Sequence, residues 1–115
     1  MELRHLRYFV AVAQYLNYSE ASRRLHVAQS AISQTILDLE EELGVTLFVR
    51  TKRHVRLTAA GGTFLSEAEK VLARADEAQR LTRLAAHGEI GVLRIGFIAP
   101  AMVDWLPPLV AAYRR

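Results

Sequence analysis

The residues of this chain best suited to chemistry form a polar face rather than a catalytic set. In the segment Gln29-Ser30-Ala31-Ile32-Ser33-Gln34, two carboxamides and two hydroxyls recur between apolar residues. A glutamine amide can pair bidentately with adenine, and a serine hydroxyl serves bases and phosphates alike, so Gln29, Ser30, Ser33 and Gln34 suit contacts in a DNA groove. Leu37 follows on the same polar side, where it either meets a thymine methyl group or is one of the scattered apolar residues of any surface. Farther on, Arg50, Thr51, Lys52 and Arg53 concentrate positive charge enough to grip phosphates or to send an arginine into a narrow minor groove. Ser19 adds a hydroxyl at the start of a short helical stretch, where it can accept from a free backbone N–H or contact phosphate.

No other chemistry competes. The chain has no cysteine, which excludes disulfides, thiolate zinc sites and cysteine nucleophiles. His5, His26, His54 and His87 have no metal-ligand spacing, and no serine, histidine and acid constellation can be argued. No enzyme activity and no cofactor are expected. The N-terminus lacks the apolar core of a signal peptide and no apolar run is long enough to cross a bilayer, so a cytoplasmic protein with no membrane partner is expected.

The elements that must position the polar face can be read from periodicity. With 115 residues, 51% of them hydrophobic, the chain has material for one core, and a net charge of +3 suits a polyanionic partner without proving one. Leu3, Leu6, Phe9, Val10, Ala13 and Leu16 recur at helical spacing and predict a first helix over 3–16, broken by Asn17. A second, capped by Ser19, is expected from Glu20 to His26, burying Ala21 and Leu25. A third runs from Gln29 to Leu43, because Ile32, Ile36, Leu39 and Leu43 step by four, three and four residues until Gly44 permits a left-handed stop. Its polar face lies nearly opposite that apolar line, with Gln29 at the edge. The acidic run Glu40-Glu41-Glu42 falls late in this helix and is expected to face water, away from DNA.

Residues 46–49 and 54–57 read as a hairpin with the basic tip Arg50-Thr51-Lys52-Arg53. From Thr58 to His87 no proline occurs and good helix formers dominate, predicting one long helix. Along it Phe64, Ala68, Val71, Ala75, Ala78 and Thr82 step alternately by four and three residues, a heptad-type seam to which Leu72 adds its side chain, and such a seam needs a partner helix. Gly88 and Gly91 bracket a hinge, Val92 to Ile98 reads as a buried strand, and Met102 to Tyr113 begins another helix. The fold class is therefore mainly α: a winged helix-turn-helix over 1–58 (helix-turn-helix about 18–37, wing about 46–57), a linker helix over 59–88, and over 89–115 a hinge and the shortened start of an α/β effector domain.

These residues resemble the LysR-type transcriptional regulators. Leu3 to Phe9 is similar to that family's first helix, Ala21 to Ser33 to its helix-turn-helix signature, Leu39 to Arg50 to its approach to the wing, and Leu57 to Gly61 to the start of its linker helix. The resemblance implies a dimer joined through antiparallel linker helices, often paired again into a tetramer, binding partly palindromic double-stranded operator DNA. It implies that Gln29, Ser30, Ser33 and Gln34 face the major groove while Arg50, Thr51 and Arg53 serve the backbone and minor groove. Four positions depart from the family pattern: Ser30 stands where proline is usual, Ala28 where serine or threonine is common, and Gln34 and Leu37 where arginine is frequent. The last two shift readout from guanine or phosphate towards adenine or thymine edges.

The stretch from Gly91 resembles the first strand and helix of the family's sensor domain. A small-molecule inducer is thus expected to act only in a full-length form, since a lone strand and helix cannot bury both faces and this tail should be loose or packed on a neighbour. A different reading is an interaction module, a helical dimeriser that pairs with intact regulators and removes them from DNA. In that case the linker seam would carry the activity and Gln34 would be dispensable.

Overall fold

The computed structural model describes residues 1–88, and the strand, helix and second hinge glycine expected beyond them lie outside the described residues. The order is α1 (Leu3–Tyr15), α2 (Tyr18–Leu25), α3 (Gln29–Leu43), β1 (Phe48–Arg50), β2 (Val55–Leu57) and α4 (Ala59–Ala86). The mainly helical class and the winged helix-turn-helix are as expected.

Each of the first three helices ends on a left-handed residue: Leu16 (φ 49°), His26 (φ 58°) and Gly44 (φ 71°). Only the last is glycine, the residue for which this conformation carries no steric cost. The turn after α1 also corrects the expected cap of α2. Asn17, not Ser19, is the N-cap: its Oδ1 accepts the Glu20 N–H at 2.8 Å, and the helix begins at Tyr18. Asn17, which the spacing marks as the breaker of α1, is also well suited to start the next helix.

Between α2 and α3 the chain turns within three residues, and Ser22 ties the turn by donating its hydroxyl to the Val27 carbonyl at 2.8 Å. The bounds of α3 match the expectation, and Ile32, Ile36 and Leu39 are buried with Thr35 among them. Leu43 departs from the apolar line and stays 39% exposed. It borders a shallow apolar groove of about 370 Å³ with Val45, Leu47, Ala60 and Phe64.

The acidic run is likewise corrected in part. Glu40 Oε2 accepts the Leu47 N–H at 2.7 Å and the Phe48 N–H at 3.3 Å, so this carboxylate ties α3 to β1, while Glu41 and Glu42 are exposed. Leu47 thus gives its N–H to Glu40 rather than to the opposite strand, while its carbonyl still accepts across the hairpin from the Thr58 N–H and hydroxyl, at 3.0 and 3.2 Å. The antiparallel strands therefore pair later than expected, with Phe48 opposite Leu57, Val49 opposite Arg56 and Arg50 opposite Val55. Arg50 belongs to β1, not to the tip.

Thr58 also starts α4, accepting the Gly61 N–H at 2.9 Å. Phe64 lies on Phe9 with ring centroids 4.9 Å apart, Ala68 is 2% exposed and Leu72 packs against the same core. The first compact unit runs from Met1 to Arg74 and so includes the start of α4. The second unit starts at Ala75, and its described part is the remainder of α4 and the turn to Gly88 (φ 75°).

Gly61 is set by a close approach. A β-carbon there would overlap the Leu47 carbonyl oxygen and stand 2.9 Å from Leu57 Cδ2, whereas one at Gly62 meets nothing within 4 Å. Backbone cannot yield as a side chain does. Gly61→Ala should destabilise the protein by about 1–3 kcal/mol, and Gly62→Ala should stabilise it by about 0.5–1 kcal/mol. Urea denaturation of the two variants beside the parent checks both signs.

Candidate nucleic-acid interface

The face opposite the buried line of α3 is open. Gln29, Ser30 and Gln34 are exposed, Leu37 is 50% exposed, and Ser33 is half-buried at the edge of the core. Ala28 supplies no side-chain cap, so the start of α3 leaves its first N–H groups to solvent or a ligand.

The polar side chains are already held by neighbours. The Ser19 hydroxyl donates to Gln29 Oε1 at 3.0 Å, linking α2 to the first residue of α3. Gln34 Nε2 donates to Asp38 Oδ1 at 2.9 Å. In the wing, the Thr51 hydroxyl accepts the His54 N–H at 3.0 Å and donates to the His54 carbonyl at 3.3 Å, which closes the tip. Lys52 and Arg53 are exposed there, and the ion pairs found among the described residues do not include them.

Five of the expected site residues meet in one place. Ser19, Gln29, Thr51, Lys52 and Arg53 line a polar cleft of about 210 Å³ together with Asn17 and His54. Ser33, Gln34 and Leu37 do not line it, lying farther along α3. Arg50 turns to the fold instead: its guanidinium sits over the Tyr18 ring, 4.6 Å from the centroid. Burial pushes the Tyr18 hydroxyl above the ordinary phenol range, against the lesser opposing pull of Arg50, so the ring stays neutral under the cation.

Three contributors escaped sequence reading. Asp38 could have been found, because it stands four residues after Gln34 on one helix face. Arg23 and Arg24 both pair with Glu20, at 2.6 and 2.8 Å, and Arg24 also lies over the Tyr15 ring. This neutralises part of the positive charge of α2. The hydrogen bonds from Arg23 and then Arg24 hold the Glu20 carboxyl down to about 2.

The expected seam on α4 divides. Phe64, Ala68 and Leu72 are turned into the chain's own core, and Ala68 is too deeply buried to touch a partner helix. Heptad stepping records one apolar stripe without saying which neighbour covers it. Val71 is 46% exposed, Ala78 and Thr82 are exposed, and Ala75 is half-buried. The Thr82 hydroxyl donates back to the Ala78 carbonyl at 2.7 Å. Among the described residues, no helix is long and apolar enough to cross a membrane.

Residues 3–62 match the family described as bacterial regulatory helix-turn-helix protein, lysR family. The chain belongs to the LysR family. Among its LysR-family relatives, AlsR of Bacillus subtilis (strain 168) is 50% identical over 115 residues, covering 100% of this chain and 38% of that protein. The Hca operon transcriptional activator HcaR of Escherichia coli (strain K12) is 48% identical over 114 residues, covering 99% and 38%. The chain thus spans under two fifths of the length of these curated relatives, which are transcriptional regulators. Among solved structures, the CbnR DBD–DNA complex is 44% identical with a TM-score of 0.73, covering 75% of this chain and 99% of that one. The structure of CbnR, a LysR family transcriptional regulator, has the same identity and TM-score, and the match covers 76% of this chain and 30% of that one.

The Glu20 pair has a defined pH signature. A carboxyl whose pKa falls on folding stabilises the folded state above its ordinary value of 4.5, and that contribution disappears as pH falls to about 2. NMR titration should therefore show Glu20 protonating near pH 2. The acid-side loss of stability between pH 4.5 and 2 should shrink in Glu20→Gln. Titration of Glu20 at the ordinary value would mean that the two arginines do not hold it in solution.

Proposed function

We propose that this chain is the DNA-reading end of a bacterial LysR-type transcription regulator, with α3 lying in the major groove of double-stranded operator DNA. The observation that carries this is the two-sidedness of α3. Gln29, Ser30 and Gln34 stand open on one side while Ile32, Ile36 and Leu39 are 0–1% exposed on the other, and the first of the open residues shares a cleft with Lys52 and Arg53. In helix-turn-helix proteins the second helix enters the major groove with its N-terminal residues at base edges, as Gln29 and Ser30 would be. The wing cations then reach phosphates or the minor groove beside it. Solved relatives of similar fold, such as the CbnR DBD–DNA complex, support the same assignment.

A second copy completes the site. Two heads joined through α4 read two half-sites, and Val71, Ala75, Ala78 and Thr82 offer the small or apolar surface for a dimer, or for a tetramer built from dimers. Response to a small-molecule inducer belongs to the full-length protein. This reading assigns the chain no catalysis and puts it in the cytoplasm, with the chromosome. The open groove-facing side of α3 favours it over an interaction module that only sequesters intact regulators.

Fluorescence anisotropy with operator-like and scrambled duplexes at moderate salt tests the proposal, because specific sites win by roughly 4–10 kcal/mol. Equal binding to both would overturn it. Gln29→Ala should reduce discrimination at its base pair by about 1–3 kcal/mol. Arg53→Ala should weaken all duplexes and lower the salt slope by about 1. Val71→Glu should leave the fold intact while lowering the dimer fraction in light scattering, and operator affinity with it. An unchanged dimer fraction would remove Val71 from the interface.

A further inference from the structure

We propose that Arg23 is a further phosphate contact of this chain, reaching the DNA backbone from α2, and that Arg24 keeps its charge available by sharing the Glu20 carboxylate. This rests on the reading above that α3 enters the major groove.

The charges of α2 do not cancel. Glu20 brings one negative charge, and Arg23 and Arg24 bring two positive ones. Arg23 Nη2 donates to the two Glu20 oxygens at 2.7 and 2.6 Å, and Arg24 Nε donates to one of them at 2.8 Å. One carboxylate thus serves two guanidiniums, and one unit of positive charge is left over.

The two arginines are not equivalent. Arg24 has a second anchor, since its guanidinium lies 5.2 Å from the centroid of the Tyr15 ring and so turns towards α1. Among the described residues Arg23 pairs with Glu20 only, and its side chain is 70% exposed against 56% for Arg24. Its Nε and Nη1 hydrogens are not used on Glu20, so a phosphate can be added without breaking the pair. With Arg24 in place, the negative charge of Glu20 is met by a guanidinium that faces α1, and Arg23 brings a full charge to the backbone. Without Arg24, Glu20 and Arg23 cancel, and a phosphate meets a neutral pair. Arg24 is therefore a positioning residue.

The placement of Arg23 suits this use. It stands four residues after Ser19 on one face of α2, and Ser19 is the residue that bonds Gln29 and lines the cleft with Lys52 and Arg53. Its neighbour Ser22 bonds the Val27 carbonyl, two residues before α3 begins. Arg23 is thus beside the start of α3, yet does not line the cleft. In helix-turn-helix proteins the first helix of the pair crosses the backbone, so Arg23 meets a different phosphate from the one that the wing cations serve.

Fluorescence anisotropy tests this, using a duplex that the full chain selects from a random pool and copies of it in which single phosphates are replaced by uncharged methylphosphonates. Arg23→Gln should weaken this duplex and a scrambled one by the same factor and lower the salt slope by about 1. One methylphosphonate should weaken the unsubstituted chain but not Arg23→Gln, and it should still weaken Arg53→Ala. Arg24→Gln should also weaken binding, and adding Glu20→Gln to it should restore the affinity, a recovery that a damaged fold would not give. Adding Glu20→Gln to Arg23→Gln gives the same net charge but should not bring back sensitivity at that phosphate. If both double variants recover it equally, Arg23 acts only through net charge and the proposal is overturned. It is also overturned if Arg23→Gln binds as the unsubstituted chain does while Arg53→Ala binds more weakly, and the groove reading then stands. If the unsubstituted chain enriches no duplex, the groove reading itself falls, and this proposal with it.

Discussion

Phe9 is wholly buried at the point where three parts of the winged head meet. Its ring lies 5.3 Å from that of Phe48 in the wing and 4.9 Å from that of Phe64 in α4, and Tyr18 reaches Phe48 from α2 at 6.3 Å. Tilted aromatic pairs at such distances add about 0.5–1.5 kcal/mol each beyond the area they bury. More important is what the cluster excludes. With Phe9 fixed, α1 can offer only one face to α3, and Ile32, Ile36 and Leu39 have only one direction in which to be buried. The polar residues of α3 then have to point outward, and they do so on a rigid helix.

The wing is held to that helix by polar contacts rather than by its own two short strands. Glu40 takes two N–H groups from Leu47 and Phe48, and Thr58 takes up the Leu47 carbonyl from the far side. A buried or half-buried backbone group left without a partner costs about 1–3 kcal/mol, so these contacts fix where the hairpin starts. The hairpin start in turn sets where the tip residues Lys52 and Arg53 stand relative to Gln29. A cleft lined by residues from α2, α3 and the wing follows from this arrangement. The chain's positive charge is also sorted by it: Arg23, Arg24 and Arg50 are tied to neighbours, and Lys52 and Arg53 stand exposed at the tip.

Much of this was legible in the residues because it is local. The bounds of α3 followed from apolar stepping and a terminal glycine, and the exposure of Gln29, Ser30 and Gln34 followed from their angular distance to Ile32 and Ile36. What was misread depended on partners distant in the chain or on competition between neighbours. Ser19 is of a type that caps helices, but Asn17 lies at the helix start and fills that role, leaving the serine hydroxyl to Gln29. Glu40 looked like one of three solvated acids, since nothing in an acidic run says that one member meets the backbone of a strand seven residues on. Phe64, Ala68 and Leu72 form a stripe that is the same whether the chain's own head or a second chain covers it, and that they pack against the chain's own core could not be read from their spacing.

By itself the chain of residues determined the periodicities, the turn points, the LysR pattern and the polar composition of one helix face, since helical geometry makes each of these a matter of spacing. Tertiary structure alone decided that Ser19 rather than Asn17 meets Gln29, that Arg50 lies over the Tyr18 ring, and that Phe64 packs on Phe9. Those outcomes turn on a few ångströms between groups far apart in the chain, such as the Phe9 and Phe64 rings or the Glu40 carboxylate and the Leu47 N–H, and spacing along a sequence carries no information about distances across a core.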